Sequence, residues 1–179
     1  MMGLHTSTCS GLTFKDVKVP AANLLGNEGE GYKIAMYALD SSRIGVAAQA
    51  TGLAEAALAH AIEYTKERVQ FGKPLSKFQN TQFKLADMAI KVEAANLMLH
   101  NAGQDKAEGR PYTISASMAK KFCSDIAMEV TTAAVQLFGG YGFSEDYPVA
   151  RLMRNAKVTQ IYEGTNEAQQ MVVGGSLLR

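Results

Sequence analysis

One carboxylate, Glu163, lies between Tyr162 and Gly164 in the stretch QIYEGTNEAQQ, close to the end of the sequence. An exposed loop acid is the simpler interpretation of an isolated glutamate before a glycine, since most carboxylates are solvated. Its apolar neighbours Ile161 and Tyr162 favour a different interpretation. Burial makes a carboxylate a stronger base, which suits it to remove a proton from carbon. The sequence therefore contains a candidate general base at Glu163.

Three other stretches carry groups that could hold an anion. Arg68 is predicted in the last turn of a helix, where it serves either as a favourable helix end or as a forked clamp on phosphate oxygens. The run 139–142, GGYG, could let backbone amides approach an anion, although such a run more often ends a helix. The run 40–43, DSSR, indicates a helix N-cap followed by a basic residue.

Composition excludes several classes of protein. Eighteen basic and 17 acidic residues leave a formal charge of +1. Such a small net charge gives no strong electrostatic attraction to a nucleic acid or a membrane surface. Cys9 and Cys123 lie far apart, and the three histidines have no acidic or cysteine partner at ligand spacing. We therefore expect a reduced, intracellular protein without a disulfide framework or a metal site. No apolar run is long enough for a membrane span.

The N-terminal stretch has the period of a β-strand. Leu12 and Phe14 alternate with polar residues, Val17 and Val19 resume the alternation, and Pro20 closes it. This pattern predicts a strand with a bulge or turn. One or two strands cannot form a stable sheet alone, so we expect the remaining strands to come from elsewhere.

Helical periodicity begins at Gly31 and continues almost to the C-terminus. Apolar residues recur every three or four positions in successive segments that end at glycine or proline signals. The first long helix follows the predicted cap at 40–43 and ends near residue 70. A second helix frays at 103, and a third ends at 139. A shorter helix runs from 148 to 157, and the last runs from about 166 to 178. Asn166 followed by Gln169 resembles a capping box at the last of them. Long helices with short loops predict a mainly α, antiparallel up-and-down bundle whose alanine-rich stripes let helices approach closely.

Four stretches occur in a fixed order: ALDSSRIGVAAQATGLA, KERVQFGKPLSKFQ, AVQLFGGYGFSEDYPVARLMRNAK and QIYEGTNEAQ. With them the chain resembles the acyl-CoA dehydrogenase family, and within it is most similar to the short-chain, butyryl-CoA type. Members of this family have an N-terminal helical domain, a middle β domain and a C-terminal helical bundle. The resemblance therefore implies that residues 1–27 are the last strands of the middle β domain and that residues 28–179 are the C-terminal bundle.

The resemblance also implies roles for particular residues. Glu163 corresponds to the catalytic base, which takes the α-proton of an acyl-CoA while the β-hydrogen leaves as hydride to N5 of FAD, giving a trans-2-enoyl-CoA. Its own backbone N–H and a flavin hydroxyl stabilise the enolate that develops. Some members carry the base at the position of Ser42 instead, so Glu163 has no rival here. The residues implied to contact acyl-CoA are Asp40, Ser41, Ser42, Arg43 and Gly164.

The implied FAD contacts form a larger set, drawn from two parts of the bundle. They are Arg68, Phe71, Gln79, Gln136, Leu137, Phe138, Gly139, Gly140, Thr165, Asn166 and Glu167. In the family, the arginine and the paired glycines reach the cofactor of a neighbouring subunit, which implies a homotetramer built as a dimer of dimers. The other implied partner is electron-transfer flavoprotein, in the cytoplasm of a bacterium or the mitochondrial matrix of a eukaryote.

Two alternative functions remain open on the sequence. One is a flavin oxidase of the same fold, which passes its electrons to oxygen. The other is a non-catalytic bundle used only for oligomerisation, which has no use for a carboxylate at position 163. Serines at 41 and 42 stand where glycines are common, Asn155 replaces a usual aspartate, and Gln170 replaces a usual basic residue. These departures leave the acyl chain length open.

Overall fold

The computed structural model describes residues 1–179, and five α-helices account for most of them. Their bounds are α1 Gly31–Glu67, α2 Gln79–Ala107, α3 Thr113–Phe138, α4 Pro148–Thr159 and α5 Asn166–Leu177. Two-residue strands, β1 Val69–Gln70 and β2 Lys73–Pro74, pair antiparallel between α1 and α2. The predicted mainly α bundle is confirmed. No helix has both the length and the apolar character that crossing a bilayer demands.

Helix α3 lies at the centre of the bundle, where it packs against α1, α2, α4 and α5. The core is dominated by small side chains, and most of its alanines are wholly buried. Because alanine adds so little volume, the helices pack closely along these stripes. Helix α1, with 37 residues, is about 55 Å long at 1.5 Å per residue and spans the whole bundle.

Glycine and proline end and begin the helices largely where the sequence predicts. Gly139, at φ +61°, follows the last residue of α3, and Pro148 opens α4. Helix α1 ends at Glu67, three residues earlier than expected, because the next residues form the β1–β2 hairpin. Its turn contains Phe71 and Gly72, both with positive φ. The predicted fraying of α2 at Gly103 is wrong, since the helix continues to Ala107.

Two predicted caps are also wrong. Asp40 lies inside α1, because no helix-breaking residue separates it from the helix start at Gly31. Thr165, rather than Asn166, caps α5, and its Oγ1 accepts a hydrogen bond from the N–H of Ala168 at 3.4 Å. Gln169 makes no capping contact and instead reaches back toward the preceding loop.

The predicted N-terminal strand does not form in this chain. Residues 8–20 have no strand assignment, and Leu12 and Phe14 are 82% and 77% exposed. A strand needs a partner for its backbone groups, and no other segment of the chain lies beside this one. The N-terminus is held instead by the backbone N–H of Leu4, which donates to Asn155 Oδ1 at 2.8 Å. The division into 1–27 and 28–179 stays a prediction.

Candidate active site

Glu163 lies in the tight link between α4 and α5, where its side chain is half-buried. Its φ is +56° and that of Gly164 is +86°, so two consecutive residues adopt the left-handed conformation. That region is unfavourable for a glutamate, and such strain persists only where surrounding contacts over-determine it. The loop is therefore held in place by its neighbours.

One of those neighbours is Ser42 of α1, 121 positions earlier in the chain. Its hydroxyl donates to Glu163 Oε2 at 2.6 Å, a bond strengthened by the charge of the carboxylate. Beside it, the hydroxyl of Tyr162 donates to Gln49 Oε1, also on α1, and burial raises the pKa of Tyr162. Two adjacent side chains of the loop are thus fixed to the same helix.

The predicted substrate residues Asp40 and Arg43 join α1 to α3. Arg43 Nη1 contacts Asp40 Oδ1 at 2.7 Å and donates to Ser117 Oγ at 3.3 Å. The other oxygen of Asp40 accepts from Thr113 Oγ1 at 2.6 Å. Arg43 is buried, and its Nε has no partner in the chain. The pair thus fixes the N-terminal half of α1 against α3.

The two other predicted substrate residues contribute less within this chain. Ser41 Oγ accepts a hydrogen bond from Lys106 Nζ of α2. Gly164 is exposed and offers only its backbone. Ser42 contacts Glu163, and Ser41 and Gly164 are their direct neighbours in sequence, so these residues lie at one end of the bundle.

The backbone N–H groups of Glu163, Gly164 and Thr165 have no acceptor within the chain. Three consecutive free donors beside a carboxylate can bind an oxygen that develops negative charge. Asn166, the next residue, differs, because its N–H donates to the Gln160 carbonyl at 3.0 Å and its side chain is buried. Glu167 is exposed on the first turn of α5.

A lysine that the sequence patterns do not single out lies beneath this loop. Lys120 of α3 is wholly buried, and its Nζ donates to the Gly164 carbonyl at 2.8 Å and to Asn166 Oδ1 at 2.9 Å. Burial lowers the pKa of Lys120 to about 8, against the opposing influence of nearby carboxylates, of which Asp125 is the strongest. The sequence carries one signal for it, because Lys120 falls on the apolar stripe of α3, three residues before Cys123.

The sequence patterns do not indicate the contacts of Gln169 of α5 either. Its Nε2 donates to the carbonyl oxygens of Glu163 and Gly164 at 3.2 and 3.0 Å, while its buried Oε1 has no partner. Asn166 Nδ2 in turn donates to Ser124 Oγ at 2.9 Å and to Asp125 Oδ1 at 2.7 Å. The Glu163 loop is thus hydrogen-bonded to α3 through Lys120 and to α5 through Gln169.

A cavity of about 490 Å³ lies at the opposite end of α1, and its lining contains most of the predicted cofactor residues. The lining residues are Tyr64, Arg68, Gln70, Leu75, Gln136, Leu137, Phe138, Gly139, Gly140 and Tyr141. Arg68 lies 5.2 Å above the ring of Tyr141 and has no carboxylate within 4 Å. Phe71, which is 93% exposed, and Gln79, also exposed, lie close in sequence but do not line the cavity.

Gly139 and Gly140 leave the backbone open at this cavity, because a Cβ added to either would meet no atom within 4 Å. The end of α3 is fixed by Tyr64, whose ring stacks on Phe138 at 3.9 Å and whose hydroxyl donates to the Phe138 carbonyl at 3.3 Å. An unpaired guanidinium beside open glycine backbone is suited to a phosphate or diphosphate group.

The two regions are far apart within one chain. Ser42 contacts Glu163, whereas Arg68 follows the last residue of α1, 26 positions later. At 1.5 Å per helical residue the separation is about 39 Å. The two regions of one chain therefore cannot both contact the same group of a bound ligand.

Comparison with known proteins gives a family. The family model for "Acyl-CoA dehydrogenase, C-terminal domain" matches residues 29–178. A short-chain-specific acyl-CoA dehydrogenase of Megasphaera elsdenii is 65% identical over 178 residues, which are 99% of this chain and 46% of that protein. The solved structure of butyryl-CoA dehydrogenase from Megasphaera elsdenii superposes with a TM-score of 0.97 at 65% identity, again over 99% of this chain and 46% of the other.

A third match is a chain in the structure described as the electron transferring flavoprotein of Acidaminococcus fermentans. It is 61% identical with a TM-score of 0.91, over 93% of this chain and 44% of that chain. The present chain thus spans about half the length of the curated relatives that it matches. Since the family model covers most of its residues, the chain belongs to the acyl-CoA dehydrogenase family and contains the family's C-terminal domain.

Proposed function

We propose that this chain is the C-terminal part of an FAD-dependent dehydrogenase that converts a short-chain acyl-CoA to the trans-2-enoyl-CoA. The observation that carries the proposal is Glu163, a half-buried carboxylate held by Ser42 beside three free backbone donors. The short-chain substrate class is supported by the 65% identity to the Megasphaera elsdenii enzyme.

The residues of this chain perform the proton half of the reaction. The Glu163 carboxylate takes the α-proton of the thioester, and the Ser42 hydroxyl orients it before transfer. Negative charge then develops on the thioester oxygen, where the N–H of Glu163 is free to donate. FAD, when bound, would accept the β-hydrogen as hydride. The Cα–H electron pair becomes the new double bond, and the Cβ–H pair leaves with the hydride.

The residues present fit such a cofactor. Arg68 has no carboxylate partner, and Gly139 and Gly140 expose backbone beside it, a combination that suits the FAD diphosphate. Thr165 offers a free backbone N–H near the base. Because the two regions lie about 39 Å apart in one chain, they serve different cofactor molecules, and each complete site draws on two subunits.

Exposed apolar residues on α2 support the assembly that this arrangement requires. Phe83, Ile90 and Leu97 recur every seven positions along one face and are 62%, 70% and 62% exposed. Apolar stripes of this kind are typical of helices that pack on another subunit. We assign the assembly as a homotetramer and the electron acceptor as electron-transfer flavoprotein, which the match to the Acidaminococcus fermentans structure supports. The compartment follows the host, cytoplasm in a bacterium and mitochondrial matrix in a eukaryote.

The decisive experiment is Glu163→Gln in the full-length, FAD-loaded protein. The amide cannot accept the α-proton, so we expect bleaching of the flavin by butyryl-CoA, followed without oxygen, to slow by about 10³-fold or more. Glu145→Gln is the matched control, because Glu145 is an exposed acid that pairs with Arg154 at 3.2 Å and belongs to neither predicted site. Bleaching at the wild-type rate in Glu163→Gln would contradict the proposal.

A further inference from the structure

Lys120 is the one lysine of the chain whose side chain is wholly buried. It lies on α3 directly beneath the Glu163 loop, and its ammonium contacts Gly164 and Asn166 but no carboxylate within 4 Å. Taking an ammonium group out of water without an ion-pair partner is unfavourable. We therefore expect the charge of a lysine at this position to serve a function.

Hydrogen-bond satisfaction is not that function, since both acceptors of Lys120 have a second donor. The Gly164 carbonyl also accepts from Gln169 Nε2 at 3.0 Å, and Asn166 Oδ1 also accepts from Ser124 Oγ at 3.1 Å. Without the ammonium, the Gly164 carbonyl would keep Gln169 as its donor, and Asn166 Oδ1 would share the Ser124 hydroxyl with the Lys121 carbonyl, which lies 3.1 Å from Ser124 Oγ. Neither oxygen therefore requires a charged donor.

What lysine adds is a strong, charged anchor on the carbonyl that follows Glu163. Charge-assisted hydrogen bonds are roughly twice as strong as neutral ones. This one fixes the peptide between Gly164 and Thr165, in a loop where Glu163 and Gly164 both hold left-handed φ. It also polarises that peptide, whose N–H belongs to Thr165 and is free to meet a ligand.

We propose that Lys120 is a positioning residue for Glu163: its ammonium clamps the Gly164 carbonyl and Asn166, and so keeps the base and the neighbouring backbone donors in their reactive arrangement. This inference rests on the proposed function. Because Lys120 is wholly buried, it does not touch the substrate. Its loss is expected to slow proton abstraction and to leave acyl-CoA binding nearly unchanged.

The test is Lys120→Met in the full-length, FAD-loaded protein, with Lys121→Met as the matched control. Lys121 is its neighbour on α3 and is partly exposed in an ion pair with Asp125 at 2.9 Å. For Lys120→Met we expect the limiting rate of flavin reduction by butyryl-CoA to fall about 10- to 100-fold, as for other groups that orient a reactive residue. The dissociation constant of butyryl-CoA and the FAD content should stay within about twofold of wild type.

Hydrogen–deuterium exchange gives a readout independent of turnover. Without substrate, the segment 160–170 should exchange faster in Lys120→Met than in wild type or in Lys121→Met. Lys120→Gln, which keeps an amide donor without charge, should lie between Lys120→Met and wild type in both readouts. It also decides the matter if Lys120→Met does not fold.

Three results would overturn the inference. One is a reduction rate and exchange pattern like wild type in both Lys120 variants. Another is a parallel loss of FAD and of thermal stability in both variants, which would mark the lysine as merely structural. The third is a weaker dissociation constant with an unchanged limiting rate. If Glu163→Gln itself turns over normally, the proposed function fails; if that variant is inactive and the Lys120 variants behave as wild type, only the role of Lys120 fails.

Discussion

The two ends of α1 are built differently. At the Ser42 end, side chains from α1, α3 and α5 satisfy one another, and only Arg43 Nε and Gln169 Oε1 are buried without a partner. At the Arg68 end, a guanidinium without a carboxylate partner faces a cavity of about 490 Å³ beside open glycine backbone. At the first end, which we call the closed end, the side chains bind one another and only backbone N–H groups of the Glu163 loop are left free. At the second, which we call the open end, a charged side chain itself has no carboxylate partner in the chain.

This contrast is tested most strongly by mixing two inactive subunits. Arg68→Met should weaken FAD binding about 10- to 100-fold, because a charged hydrogen bond to phosphate is lost. Glu163→Gln should abolish turnover. If each site takes its base from one subunit and its arginine from another, co-expression of the two variants restores some intact sites, about a quarter of the wild-type number for random pairing in a two-fold interface. Turnover per enzyme, measured with butyryl-CoA at limiting FAD, checks this.

The control for the mixing experiment is Lys66→Met in place of Arg68→Met. Lys66 is exposed two residues earlier and pairs with Glu63 at 2.7 Å. Its variant should bind FAD normally and remain active alone. Co-expressed subunits that stay inactive at limiting FAD, yet assemble as mixed oligomers, would show that both ends of α1 do not combine across an interface.

A second prediction concerns how the cavity end is shaped. In Gly142→Ala the new Cβ would fall against the Val135 carbonyl oxygen and 2.9 Å from Phe138 Cβ, so the turn after α3 must shift. We expect the free energy of unfolding to fall by about 3 kcal/mol, as for other overpacked positions. Gly140→Ala is the matched control, since its Cβ meets no atom within 4 Å. Urea unfolding of both variants measures whether only position 142 requires glycine. Equal stabilities of the two variants would contradict the prediction.

The sequence predicts the open end better than the closed one. Gly139 and Pro148 mark helix boundaries by local backbone chemistry, which requires no knowledge of neighbours, and both boundaries are confirmed. Asp40 was misread as a cap because a helix that begins nine residues earlier leaves the same local pattern. The predicted strand near Leu12 failed because a strand depends on partners that this chain does not place beside it.

Lys120 shows why the rest of the site could not be read from the sequence. Lysine is almost always a surface residue, so a lysine within an amphipathic helix is assigned to the solvated face. Only the packing of α3 beneath the α4–α5 link reveals that its ammonium contacts a loop carbonyl 44 positions away. The same holds for Ser42, whose contact with Glu163 joins residues 121 positions apart. Polar contacts between residues far apart in the chain leave no periodic pattern in the sequence around either residue.

The smallest predicted effect concerns the charge held at the closed end. Burial lowers the pKa of Lys120 to about 8, below the value of an ordinary lysine. Below pH 8 both the folded and the unfolded chain bind this proton, and the folded state bears the full penalty of the buried charge. Between pH 8 and the ordinary pKa the unfolded chain still binds it while the folded chain does not, so stability rises with pH.

Lys120→Met removes that rise. We expect the free energy of unfolding of the variant, relative to that of wild type, to be highest near pH 7. This difference should fall by about 2 kcal/mol by pH 9.5. Urea unfolding across this range, with Lys121→Met as the control, measures the difference directly. Parallel curves for wild type and Lys120→Met would mean that the ammonium is not held away from water. Curves that approach each other as the pH rises would mean that the closed end keeps a cation at the expense of stability. The open end differs, because its cation, Arg68, is only half-buried and lacks any carboxylate partner.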